Sequence, residues 1–257
     1  MTHIFGLILE NWHIVSLFFL IAVAYSSVGF GGGSSYLAIL SLTSLAFVEI
    51  RVIALLCNIL VVSGNVYAFY QERKYNYKKI MPLIVLSIPF AFLSGLLKIS
   101  ETFFFILLGF TLLFASITMW ISKRIVSEEK KELKIDYKRS SFYGGIIGFL
   151  SGLVGIGGGV FLSPLLHLTN WDTPKRIAAT ASLFILVNSI AGLLGQYSNF
   201  DFSLNCELTF LLLFTVLIGS LLGNLVRNKI FSALLLKKIT SLLIAFISIK
   251  ILVEYLF

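Results

Sequence analysis

Residues 28–33 read VGFGGG and residues 154–159 read VGIGGG, each inside an apolar stretch. The copies lie 126 positions apart, and five of six letters match; the sixth exchanges Phe30 for Ile156. Glycine weakens a helix and exposes its backbone. In a bilayer, irregular backbone survives only where it is buried in protein or lines a cavity. A glycine-rich break that recurs in two halves of a chain therefore points to a binding site near the membrane centre.

The surrounding composition sets the class. The chain is 58% apolar with mean hydropathy +0.97, and 12% of its residues are charged, against about 25% in soluble domains. Uncharged stretches of about 17–21 residues recur, long enough to cross a hydrocarbon core about 30 Å thick. The chain reads as an all-α polytopic membrane protein of the cell membrane. The net charge of +8 does not indicate nucleic acid, because the basic residues cluster between spans, as in cytoplasmic loops. Cys57 and Cys206 have no metal-ligand or disulfide spacing, and no metal or cofactor is expected. The first apolar run has no basic n-region and does not read as a signal peptide.

Six spans are expected, at 52–71, 80–97, 102–122, 177–197, 207–226 and 239–255. Two glycine-rich regions remain, 12–47 and 142–170. Each splits at its glycines into two short arms, of about 17 and 14 residues and about 15 and 11 residues, which is short for full crossings. The basic residues test the topology. If each region crosses once, the two sides carry 11 and 8 Lys/Arg. If each returns to its starting side, one side gathers 17 and the other keeps Arg51 and Lys98. The second arrangement obeys the positive-inside rule. It places both termini outside and the charged linker 123–141 in the cytoplasm. A pair of short spans in each region satisfies the count equally well.

The duplication extends past the glycines. Arg51, Ala54, Cys57 and Ser63 recur 125 positions later as Arg176, Ala179, Ser182 and Asn188. Each half, 1–122 and 142–257, is then a glycine-tipped hairpin followed by three crossings. Three is odd, so the second half starts from the opposite side, giving an inverted repeat. The second arm of each hairpin starts at its tip, so its N-terminus, with unpaired N–H groups and a positive dipole end, faces the membrane centre. Two such ends make an anion site without any buried Lys or Arg. The expected donors are the backbone of Gly31, Gly32 and Gly33 and of Gly157, Gly158 and Gly159. Ser34 and Ser35 are expected to cap the first arm. Polar residues inside spans complete the candidates: Asn58, which shares a helix face with Asn65, and Thr180, Ser182 and Asn188. Glu10, Glu49, Glu101, Glu207 and Glu254 all lie near span ends, so a carboxylate relay is not expected mid-membrane. No nucleophile, base or metal cluster supports an enzyme.

The doubled VGxGGG, the run VFLSPLL at 160–166 and RIAATAS at 176–182 resemble the TauE/SafE family, the sulfite exporters. The resemblance covers nearly the whole chain. It implies a permease for small sulfur-containing anions such as sulfite or organosulfonates, often moved outward. One departure is that the first copy continues as SSYLAIL, with Ala38 near the place of Pro164. The expected function is export of such an anion by alternating access, with a passive channel or a permease for another organic anion as the alternatives. The expected partners are the small anion and the lipid bilayer; a homodimer is left open.

Overall fold

The computed structural model describes residues 6, 9–121, 137–169, 171–198, 205–226 and 233–256. Among them every regular element is a helix. The first half holds α1 (Trp12–Val28), α2 (Gly33–Leu40), α3 (Phe47–Gln71), α4 (Tyr77–Leu96) and α5 (Glu101–Ile121). The second holds α6 (Tyr137–Val154), α7 (Gly159–Leu168), α8 (Pro174–Tyr197), α9 (Cys206–Leu225) and α10 (Ala233–Leu256). Most of the linker 123–141 lies outside the described residues; its last five residues open α6. Among the described residues five helices are long and apolar enough to cross a membrane: α3, α4, the Glu101–Thr118 part of α5, α8 and α9.

Local chemistry sets the ends. Asn76 and Asn205 each accept a hydrogen bond from the backbone N–H three residues on, at Lys79 and Leu208, and so cap α4 and α9. Pro174 occupies the first turn of α8, where its missing N–H costs nothing. Two expectations need correction. The second arm of the first glycine-rich region is not 14 residues long; α2 has eight. Ser41 and Thr43 donate their hydroxyls back to the carbonyls of Ala38 and Leu40 at 2.8 and 2.6 Å, closing a turn in place of further helix. The first long span also begins earlier than residue 52: α3 takes in Glu49 and Arg51, both buried. Pro164 does not break α7, which runs through it for ten residues.

The helices pack in matched sets. Exchange α1–α5 with α6–α10, and every substantial helix–helix contact maps onto another or onto itself. The pair α1 with α9 corresponds to α6 with α4, and α3 with α9 to α8 with α4, while α5 with α10 and α3 with α8 map onto themselves. Contacts along these pairs fix their directions. Ser87 meets Asn188 and Gly95 meets Gly192, so α4 and α8 run parallel. Glu49 meets Asn205 and Gly64 meets Asn224, so α3 and α9 run parallel. Ser116 meets Ser241 and Gly109 meets Leu252, so α5 and α10 run antiparallel.

Small residues make the closest contacts. Gly144, Gly148 and Gly152 of α6 lie against Leu83, Ser87 and Ala91 of α4. Gly219 and Gly223 of α9 lie against Phe19, Ala22 and Val23 of α1. Spacing of four along one face lets backbones approach, which in lipid replaces the missing hydrophobic drive between helices. A Cβ at Gly148 would sit 2.6 Å from Ser87 Cα, and backbone does not yield. Gly148→Val is therefore expected to cost about 1–3 kcal/mol. The check is the thermal midpoint of the detergent-purified variant, which should fall well below that of wild type.

Candidate functional site

Both glycine runs fold into the same tight reversal. Gly29 and Gly155 end α1 and α6 with φ of 86° each, the left-handed conformation that terminates helices. Gly32 and Gly158 open α2 and α7 with φ of 85° and 78°. A side chain at these positions is strained. The copies differ at one point, because Gly157 is also left-handed (81°) while Gly31 is not. The second arms have no side-chain cap; Gly32 and Gly158 stand at the N-cap. The expected capping role of Ser34 and Ser35 is thus not seen. Both lie buried inside α2, and Ser35 Oγ instead shares a hydrogen bond with Tyr25 Oη at 3.0 Å. The first N–H groups to find a carbonyl are those of Ser35 and Tyr36 on Gly32, and Phe161 and Leu162 on Gly158. The N–H groups before them are the orphans of each helix start.

The two reversals touch. A Cβ on Gly33 would lie 2.7 Å from the Ile156 carbonyl oxygen. Asn58, at the middle of α3, sits in this junction. Its Nδ2 donates to the Ile156 carbonyl at 2.9 Å, while its Oδ1 is buried and has no partner. Added Cβ atoms on Gly31 and Gly33 would both strike the Asn58 carboxamide, and one on Gly157 would lie 2.8 Å from Asn58 Nδ2 and from Ser189 Oγ. Ser189 Oγ is also buried without a partner. An unmet acceptor and an unmet hydroxyl thus lie where the two reversals meet.

The long helices hold each reversal from the side. Asn65 Nδ2 donates to the Phe30 carbonyl at 3.1 Å, and Ser182 Oγ reaches the Gly29 carbonyl at 2.7 Å. Asn58 and Asn65, two turns apart, thus serve one reversal each. Asn188 is not at the junction. It donates to Ser87 Oγ at 3.1 Å and to its own helix at Phe184, so it ties α8 to α4. Thr180 is buried in α8.

Two residues at or beside the reversals, Ser189 and Arg51, were not expected from the sequence. Ser189 follows Asn188 and belongs to the neighbouring helix face. Gln196 Nε2 donates to the Gly152 carbonyl at 3.4 Å. Arg51 is 4% exposed, its stem lies against Gly155, and its Nη2 also donates to the Gly152 carbonyl, at 3.1 Å. The expectation of a site without any buried Lys or Arg is corrected: a buried guanidinium adjoins the second reversal. Two charges in the run FVEIR made these residues read as loop. The apolar residues between them, already spaced for a helix, were the available signal.

At one end of the molecule, Lys79 Nζ meets Asp172 Oδ2 and the Trp171 carbonyl, both at 3.1 Å, and Arg176 approaches the other Asp172 oxygen at 3.7 Å. The corresponding place in the other half is held by Glu49, which accepts the Asn205 N–H at 2.9 Å. Among the described residues no group of three or more His, Cys, Asp or Glu lies together to hold a metal ion.

Comparison with known proteins agrees with this architecture. A probable membrane transporter protein of Sinorhizobium fredii is 31% identical over 241 residues, covering 91% of this chain and 95% of its own length. A probable membrane transporter protein of Methanocaldococcus jannaschii is 28% identical over 133 residues, about half of each chain (51% and 49%). No solved structure matches. The profile of the family described as sulfite exporter TauE/SafE matches residues 14–251, and the chain belongs to that family of membrane transporters.

Proposed function

We propose that this protein exports a small sulfur-containing anion, sulfite or an organosulfonate, across the cell membrane by alternating access around the glycine junction. The observation that carries the reading is that the reversals before α2 and α7 meet at Asn58. Each helix start contributes about half a positive charge, and the glycines leave the backbone N–H groups uncovered for a ligand.

The halves are read as an inverted repeat. Supporting this, α4 runs parallel to α8, while α3, the equivalent of α8, leads into α4 through the short connection 72–76. The equivalent helices α5 and α10 are antiparallel. The distribution of lysines and arginines supports both termini outside. Export fits the energetics: an inside-negative potential of about 100 mV drives each negative charge outward with about 2.3 kcal/mol, so outward flux needs no coupling ion.

The test is flux in proteoliposomes holding the purified protein. Saturable, voltage-responsive movement of sulfite or a simple sulfonate, with exchange of internal for external anion, is the expected result. Flux without saturation or exchange points to a pore, and no flux of any such anion overturns the reading.

A further inference from the structure

We propose that Arg51 is a second anion-holding station, on the flank of the glycine junction next to Gly155, taking the same sulfonate or sulfite anions. The inference rests on the proposed function and adds to it a cationic residue that the backbone donors do not supply.

Arg51 is in the second turn of α3 and is 4% exposed. Among the described residues its guanidinium makes one hydrogen bond, to the Gly152 carbonyl, and it lies 5.9 Å from the centre of the Phe104 ring. Its Nε is buried and has no hydrogen-bond partner among the described residues. The nearby carboxylate on its own helix, Glu49, is turned to the Asn205 N–H, and neither of the ion pairs among the described residues includes Arg51. A guanidinium has five donors in a planar fork, and a buried charge without a counter-charge is costly. Inside a membrane protein such a charge marks a ligand path. Sulfite and sulfonates present two or three oxygens in the geometry that this fork grips.

A purely structural role is also available. The Gly152 carbonyl is among the last of α6, and a cation there favours the negative end of the helix dipole. That role accounts for one donor and the position of the charge. It leaves Nε unmet and gives no reason for a fork in preference to a neutral donor, since Gln196 already reaches the same carbonyl. The half-related position offers a contrast: Arg176, 125 residues later, is exposed and faces Asp172. Among the described residues, the arginine has a carboxylate partner in one half and none in the other.

The experiment compares wild type, Arg51→Lys, Arg51→Gln and Arg51→Met in proteoliposomes, reading half-saturation for sulfite and maximal flux separately. Loss of a charge-assisted contact is expected to raise half-saturation about tenfold or more in Arg51→Gln, with Arg51→Lys in between, because the ammonium keeps the charge and loses the planar fork. If Arg51→Gln fails to assemble, Arg51→Met decides, because apolar replacement of a buried charge is often tolerated. Half-saturation unchanged in the neutral variant, with only a lower thermal midpoint, assigns Arg51 to capping α6 and overturns the proposal. Wild type that moves no such anion overturns the proposed function, and this station with it.

Discussion

Gly33→Val is expected to weaken anion transport about ten- to a hundredfold while leaving the chain inserted in the membrane. Gly33 is where the two reversals come closest. Its added Cβ would lie 2.7 Å from the Ile156 carbonyl oxygen and would strike the Asn58 carboxamide. Neither obstacle is a flexible side-chain end. Ile156 is backbone of the opposite reversal, and Asn58 is held by its bond to that same carbonyl. The valine must therefore push the reversals apart, at a cost of about 1–3 kcal/mol. If the anion is bound in the closed junction, that is worth about one to two decades in affinity. The measurement is sulfite flux and thermal midpoint on the same preparation. Near-normal flux would show that the contact between the reversals is not needed for transport.

Asn58→Asp should be the most damaging isosteric change. The side chain keeps its size, so packing against Gly31, Gly33 and Gly157 is unchanged. Two things are lost: the donor to Ile156 and the neutrality of the junction. A carboxylate placed between two helix N-termini satisfies them as the substrate anion would, and it repels that anion. Like charges in close apposition cost several kcal/mol, so affinity is expected to fall about a hundredfold or more. Asn58→Ser, which keeps a small neutral polar group, should lose less. The diagnostic is the order of the two variants in half-saturation; an aspartate variant that transports as well as the serine variant would remove the anion from this junction.

The glycine runs were legible as reversals because their chemistry is local. Left-handed backbone at Gly29, Gly32, Gly155 and Gly158 follows from residue type and from the end of an apolar run. Asn58 was legible as a candidate because an amide inside an apolar span needs a partner; that the partner is the Ile156 carbonyl was not. The parts that were missed depend on long-range contact. Ser34 and Ser35 look like caps by sequence, yet the left-handed Gly32 takes the N-cap and draws both serines into the helix. Asn188 looks equivalent to the other amides, but the rotation of α8 turns it to Ser87. Arg51 looked like a loop residue because hydropathy marks a charge as an end. It lies against Phe104, Gly152 and Gly155, residues about 50 to 100 positions away, and such contacts are not visible in local sequence.

The closest helix contacts link one half to the other, and this bears on how the chain is made. The α4 glycine-facing surface at Leu83, Ser87 and Ala91 is completed by α6, which is synthesised later. The α1 surface at Phe19, Ala22 and Val23 waits still longer, for Gly219 and Gly223 of α9. During synthesis the first five helices therefore sit in the bilayer with two unfinished faces and with the Ile156 acceptor for Asn58 not yet present. Each half carries one long helix that finishes the other, so the unit of assembly is the whole chain. A duplicated ancestor in which two separate copies exchanged those helices would have needed both copies present before either was complete; joining them in one polypeptide makes that encounter certain.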